Sequence, residues 1–327
     1  MKKVVIALGG NALQKSKDQA TAEAQKRACE QTAEQLLEIV KAGFDIVVTH
    51  GNGPQVGNIV LQQEAAATDR TPAMPLDACG AMSQGMIGYW LQQAIDKSLT
   101  EAGIPKRAAT VITQAVVDPG DPAFGNPTKP IGPFYTEEEA RRVMREKGYL
   151  FKEDAGRGWR RVVPSPKPVD IVEKDVIREL VEGGHIVVCA GGGGIPVIRR
   201  ADGTLEGVDA VIDKDLGAAK LAELVEADIL LILTAVEKVA IHFRKPNQSE
   251  LEEVTTDQLR RYMREGHFAP GSMLPKVEAT LEFAESRPGR TAVITSLERG
   301  FDALLGKAGT RISTRGNGMR REMHLTT

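Results

Sequence analysis

The sequence predicts an α/β fold, with helices packed on both faces of a mainly parallel open sheet. Two observations carry this expectation. Short runs of Val, Ile, Leu and Ala alternate with stretches of helical period along most of the chain. Strands that are apolar at every position are those covered on both faces. Glycine-rich turns then follow several of these runs directly, at the strand ends where an open α/β sheet forms its ligand crevice.

The first strand is Val4 to Leu8, an apolar run of five residues after two lysines and before Gly9-Gly10. A secretory core needs about 7–15 apolar residues and a membrane span about 20, so the run is neither. A helical pattern from Thr21 to Lys41 stops at Gly43, and Asp45 to Thr49 reads as the second strand. A helix rich in small residues runs from Ser83 to Glu101 and stops at Gly103, ahead of a strand at Ala109 to Thr113. The alternation resumes with a helix from Val169 to Glu182, ended by Gly183 and Gly184, and a strand from Ile186 to Ala190. A helix from Lys214 to Val225, a strand from Ile229 to Leu233, helices at Thr255–Arg264 and Lys276–Ser286, and a strand at Thr291–Ser296 complete the pattern.

One stretch breaks the rhythm. Between Pro119 and Pro168 lie eight of the 17 prolines and the charged run EEEARRVMREKG, with no long apolar run. This segment cannot be a layer of the main sheet. It predicts a small protruding subdomain with a solvated helix over Glu137 to Lys147, either a structural insertion or a lid, and long proline-rich excursions in compact enzymes are more often functional. The residues from Thr314 to Thr327 are polar and predict a loose tail.

A chain of 327 residues accommodates one large or two medium domains. Lys plus Arg is 42 and Asp plus Glu is 44, a formal charge of −2, and aromatic residues make up only 4%. That excludes a basic, ring-lined platform for single-stranded nucleic acid. Cys29, Cys79 and Cys189 are far apart and lack CxxC spacing. They read as reduced thiols of a cytoplasmic protein, without a structural zinc site. Neither a nucleic-acid nor a membrane partner is expected.

The chemistry concentrates at four glycine-rich turns: Gly9-Gly10-Asn11, His50-Gly51-Asn52-Gly53, Gly191 to Gly194, and the looser Pro270-Gly271-Ser272. Three stand at strand ends. Glycines there let backbone N–H groups approach an anion, and the next helix N-terminus adds a favourable dipole. The ligand expected is a phosphate or carboxylate. No G-x-x-x-x-G-K-[ST] loop is present, and Gly51-x-Gly53-x-x-x-Gly57 misses the dinucleotide fingerprint by one residue. H-E-x-x-H and G-x-S-x-G are also absent, which removes zinc peptidases and α/β-hydrolases. Lys214, between Asp213 and Asp215, and Lys276, after Pro275, both stand at predicted helix starts, and Lys129 is held near prolines in NPTKPIGPF. A helix start is the wrong end for a cation. Lysines gathered there point to a bound anion beside them.

These residues carry a resemblance. The segments VVIALGGNAL, VVTHGNGPQVGNI, PLDACGAMSQGMIGYWLQQAI, NPTKPIGPFY, GWRRVVPSPKP, IVVCAGGGGIPVI, GVDAVIDKDLGAAKLA, LILTAVEKVAI and FAPGSMLPKVEA occur in order from Val4 to about Ile312. Together they resemble the carbamate kinases, a branch of the amino-acid kinase family. Many members of the wider family have a lysine where this chain has Ala7, two residues before the glycine pair. That departure matches the carbamate kinase branch, where the residue matching Lys214 supplies the charge, and it argues against an acetylglutamate or aspartate kinase.

The resemblance implies a three-layer αβα sandwich, one kinase domain over about residues 1–313. Its N-terminal lobe, to about residue 185, would take carbamate, its C-terminal lobe nucleotide, and residues 119–168 would be the inserted lid. The implied reaction is ATP plus carbamate to ADP plus carbamoyl phosphate, reversibly, used to make ATP in arginine fermentation. Lys214, Lys276 and Lys129 would grip the phosphoryl group, with Asp215 aligning the first two. Gly9, Gly10, Asn11, Gly51, Asn52 and Gly53 would bind carbamate and the acyl phosphate. Thr234, Ala235, Val236, Val239, Gly271 and Met273 would line the nucleotide, with Lys214, Asp215 and Lys276 at its phosphates. ATP and ADP enter as substrates, Mg²⁺ rides on the nucleotide without a protein carboxylate cage, and a homodimer is implied. His50 is expected in a turn or supporting role, and His242 stands where relatives carry Asn. Three readings stay beside this one: another small-acyl kinase of the same fold, carbamoyl phosphate synthesis as the physiological direction, and a nucleotide-sensing module without turnover.

Overall fold

The computed structural model describes residues 2–10, 13, 21–154 and 156–314. The tail expected from Thr314 lies outside the described residues beyond that first position. At the centre is an eight-stranded sheet. From edge to edge its strands are Glu253–Thr255, Thr310–Ser313, Thr291–Ser296, Ile229–Thr234, Lys3–Leu8, Asp45–His50, Ile186–Cys189 and Ala108–Val111. All neighbours pair in parallel except Thr291–Ser296 with Thr310–Ser313.

Period-two side-chain alternation divides the central strands between two cores. Val5, Ala7, Val47, Leu230 and Ile232 face one core, completed by helices Lys174–Glu182, Lys214–Leu224 and Met273–Glu285. Val4, Ile6, Leu8, Val48 and Leu231 face the other, under helices Ala22–Lys41, Leu76–Glu101 and Gly300–Leu304. This double burial is why the strands read as unbroken apolar runs, and it makes the three-layer αβα sandwich. Among the described residues no helix is long and apolar enough to cross a membrane.

The Pro-rich excursion builds a three-stranded antiparallel sheet, in the order Lys129–Tyr135, Trp159–Val163, Leu150–Glu153. It carries the helix Glu137–Lys147, which begins with a reciprocal Thr136–Glu139 capping box and ends at Gly148 in the left-handed conformation.

Several elements differ from the expectation. Pro168–Ile171 is a strand, not the start of a helix; it joins a second sheet in the order Leu205–Gly207, Ile195–Arg199, Gln114–Val117, Pro168–Ile171. Proline is tolerated at the first residue of an edge strand, and the helix begins only at Lys174. The helix expected from Ser83 starts at Leu76, where Pro75 provides an extended N-cap. A helix at Gly53–Ala65 was not anticipated, because its first residues, Gly53 and Pro54, read as a continuing turn.

Candidate active site

The carboxyl ends of the central strands open into a cavity of about 770 Å³. Gly10, Gly51, Asn52 and Gly53 line it from the N-terminal half; Lys214, Asp215, Thr234, Val236, Gly271, Met273 and Lys276 line it from the C-terminal half. Lys129 enters from the protruding subdomain. Asn11 lies outside the described residues.

The glycine turns do two different jobs. Gly9 N–H donates to Leu233 O at 2.9 Å and Gly51 N–H to Leu8 O at 3.1 Å. These two amides tie neighbouring strand ends together instead of pointing to a ligand, a correction to their expected donor role. A side chain at Gly9 would put Cβ 2.7 Å from Leu233 O, so the strand ends could not close. Gly53, by contrast, is the first residue of its helix, and amides of a first helical turn have no intrahelical acceptor. With Asn52 as N-cap, they bring to the cavity a helix end of the kind that suits an anion.

The third glycine turn supports this wall from behind. A Cβ on Gly192, at φ +68°, would lie 2.3 Å from Asn52 Nδ2, so glycine lets the turn press on the Asn52 side chain. Asn52 Nδ2 donates to Ser83 Oγ at 2.8 Å. His50 is buried under the same turn and is not on the cavity wall. Burial pushes its pKa down to about 4, against the opposing effect of its bond to Gly51 O. Its Nδ1 is 2.9 Å from that carbonyl and therefore carries the proton. His50 is a neutral bracing residue.

The lysines form one array. Asp215 is almost wholly buried, and its two oxygens accept from Lys214 Nζ at 2.5 Å and Lys276 Nζ at 2.8 Å. Burial alone would raise the Asp215 pKa; the two ammonium groups overcome it and hold the carboxyl at about 2. Burial, helped by the neighbouring Lys214 charge, lowers the pKa of Lys276 against the pull of Asp215. Asp213 is the helix N-cap: its Oδ1 accepts from Asp215 N–H at 2.9 Å, and its Oδ2 from Lys129 Nζ at 2.7 Å. Two carboxylates two positions apart, on either side of Lys214, thus bring three lysines to one place.

On the other side of the cavity, Thr234, Val236, Met273 and Gly271 line the wall. Ala235 and Val239 do not. Ala235 is exposed outside the lining, whereas Val239 is buried in the core and its N–H donates to Thr310 Oγ1 at 2.8 Å. His242 does line the cavity, at φ +52°, with its ring 4.3 Å from that of His267. Lys238, Phe243, Lys245 and Phe268 also face the space. The sequence carries no signal for them, because single lysines and phenylalanines around a hairpin have no diagnostic spacing. Among the described residues no group of three or more His, Cys, Asp or Glu could hold a metal ion.

The comparisons with known proteins agree with this geometry. Residues 2–296 match the model of the amino acid kinase family. Carbamate kinase 1 of Enterococcus faecium is 56% identical over 297 residues, covering 91% of this chain and 94% of its own. Carbamate kinase 2 of Staphylococcus aureus is 52% identical over 311 residues, covering 95% and 98%. The structure of carbamate kinase from Giardia lamblia bound to AMP-PNP superposes with a TM-score of 0.88 at 48% identity, covering 95% of this chain and 98% of that one. The chain belongs to the amino acid kinase family and, within it, to the carbamate kinases.

Proposed function

We propose that the protein transfers a phosphoryl group reversibly between ATP and carbamate, giving ADP and carbamoyl phosphate. The observation that carries this is the array of Lys129, Lys214 and Lys276 around Asp213 and Asp215, opposite the helix end at Gly53. A carbamate oxygen attacks the γ-phosphorus while the bond from phosphorus to the ADP oxygen breaks and ADP leaves with the electron pair. No proton has to be removed, so no base is needed. The requirements are in-line placement and neutralisation of the charge spread over the phosphoryl oxygens. Lys214 and Lys276 are held for that task by Asp215, and Lys129 approaches from the subdomain, which acts as a lid.

Thr234, Val236, Gly271 and Met273 would accept the nucleotide, and Gly10, Asn11, Asn52 and Gly53 the small acyl group. Both carboxylates beside the lysines are already bonded to ammonium groups. The residues therefore fit a Mg²⁺ ion carried by nucleotide phosphates rather than one caged by protein. The three described cysteines are free and buried, which suits a reducing cytoplasm. An acyl phosphate donates its phosphoryl group downhill to ADP, which supports ATP formation, fed by arginine breakdown, as the direction used in the cell. We also infer a homodimer. Tyr89 and Met82 are exposed on one face of helix Leu76–Glu101, and exposed Ile112 lies beside Gly85 of the same helix, next to the sheet-edge strand Ala108–Val111.

The test is a coupled assay of ATP formation from ADP and carbamoyl phosphate, with acetyl phosphate as the competing donor. Turnover should be confined to carbamoyl phosphate. ADP binding without turnover would instead favour a nucleotide sensor.

A further inference from the structure

The helix Gly53–Ala65 has the anion site at its first turn and Glu64 in its last. The protruding subdomain lies along this helix and touches it in two ways. Near the site, Gly57 backs directly onto Gly132: a Cβ at Gly57 would lie 2.3 Å from Gly132 Cα. Beside that contact, Val56, Ile131 and Val163 are buried in one small apolar cluster. At the far end, Glu64 accepts from Lys147 Nζ through one oxygen and from Tyr149 Oη at 2.9 Å through the other, with Arg161 Nη1 at 3.6 Å. The Arg161 guanidinium is also stacked 3.5 Å from the centre of the Tyr149 ring. A cavity of about 260 Å³ separates the two contacts. The subdomain is therefore not packed down along its length. On this helix it rests on the Gly57–Gly132 contact and its small apolar cluster at one end and on the Glu64 carboxylate at the other.

The strand register links that carboxylate to the active site. Lys147 ends the subdomain helix, Tyr149 precedes one strand and Arg161 is inside another, so Glu64 gathers three subdomain segments. Arg161 stands opposite Ile131 in the ladder, and Val163 stands opposite Lys129. Whatever fixes the strand Trp159–Val163 therefore fixes the strand that begins with Lys129. We propose that Glu64 is a positioning residue: a latch that clamps the subdomain on the helix so that Lys129 meets the phosphoryl group beside Lys214 and Lys276. Glu64 lies outside the lining of the main cavity and is not bonded to Lys129, Lys214 or Lys276. Its effect passes entirely through Lys129. The inference rests on the phosphoryl-transfer reading for its catalytic readout, and on the geometry alone for its mechanical one.

The experiment uses the full chain with Glu64→Ala, Glu64→Gln, Lys129→Ala and the double variant Glu64→Ala/Lys129→Ala. Displacing a catalytic group by about 1 Å can cost about 100-fold, so Glu64→Ala should lower kcat by about 10- to 100-fold and leave the Kd for ADP within about twofold. Glu64→Gln, which keeps an acceptor for Tyr149 but loses the charge, should fall between Glu64→Ala and wild type. The double variant should be no slower than Lys129→Ala alone. Independently of turnover, Glu64→Ala should speed amide exchange in 129–135 and 159–163 at least about tenfold, with helix Leu76–Glu101 unchanged. Effects of Glu64 and Lys129 that multiply, or unchanged exchange in the two strands, would overturn the latch. Absence of turnover in the wild-type chain would defeat the phosphoryl-transfer reading instead, and the exchange result would still decide whether Glu64 holds the subdomain.

Discussion

At Asp215 one buried carboxylate holds two ammonium groups, and the consequences can be measured residue by residue. Lys214→Ala or Lys276→Ala should each reduce kcat by about 10²–10³, the size expected for losing one contact to transition-state charge, with folding retained by circular dichroism. Asp215→Asn keeps the shape and removes the charge that aligns both lysines. Steady-state kinetics should show a large fall in kcat, while calorimetry finds the ADP affinity little changed. His50 makes a different prediction, about pH. Its folded pKa lies near 4, below the ordinary 6.5, so as pH falls the unfolded chain takes up a proton that the folded chain refuses. Stability is lost between about pH 6.5 and 4, amounting to about 2 kcal/mol by pH 5. Urea denaturation at pH 7.5 and pH 5 should show that loss, and His50→Gln should remove most of it. Lys214 and Lys276 were legible in the sequence because a cation at a helix start contradicts the helix dipole, and Lys129 because it stands between prolines. Their partner Asp213 was visible only as a flank of Lys214, since its bond to Lys129 spans 84 positions of chain and no local pattern encodes it.

The central strands and most helices were readable as elements because burial on both sides of the sheet leaves continuous apolar runs, and glycines mark where they end. The elements that were not readable share a cause. Gly53-Pro54 opens a helix exactly where the same residues would suit a turn, and the second sheet is made of strands of three to five residues, too short to show a period. The subdomain was legible by contrast, as the stretch where buried runs stop and prolines gather. Its role gives a prediction at this scale. Lys129→Ala should reduce turnover while ADP affinity stays nearly constant, because nucleotide would sit on the other half of the cavity. Amide exchange in 129–163 should slow when ADP and carbamoyl phosphate are both present, and less with ADP alone. Equal exchange in the free and doubly liganded protein would mark a rigid insertion.

For the molecule as a whole, the sheet ends at Ala108–Val111 on one side, with Tyr89, Met82 and Ile112 exposed nearby. If the inferred homodimer forms through that face, Tyr89→Glu should shift the sedimenting species from dimer to monomer, and an unchanged sedimentation coefficient would clear that face of the interface. The lysine array has a consequence beyond catalysis. Lys129, Lys214 and Lys276 against Asp213 and Asp215 is three positive charges to two negative, a surplus of 3 − 2 = +1 among partly buried groups. Mutual repulsion of unbalanced charge weakens a folded state, and a bound anion relieves it. An anionic ligand between these lysines is thus expected to complete the balance. Ligand at 100 times its Kd adds about 2.7 kcal/mol to the folded state, and proteases digest proteins from the unfolded fraction. Under the proposed function the lifetime of the protein should follow the supply of its substrate, and limited proteolysis should run slower with ADP and carbamoyl phosphate present than without them.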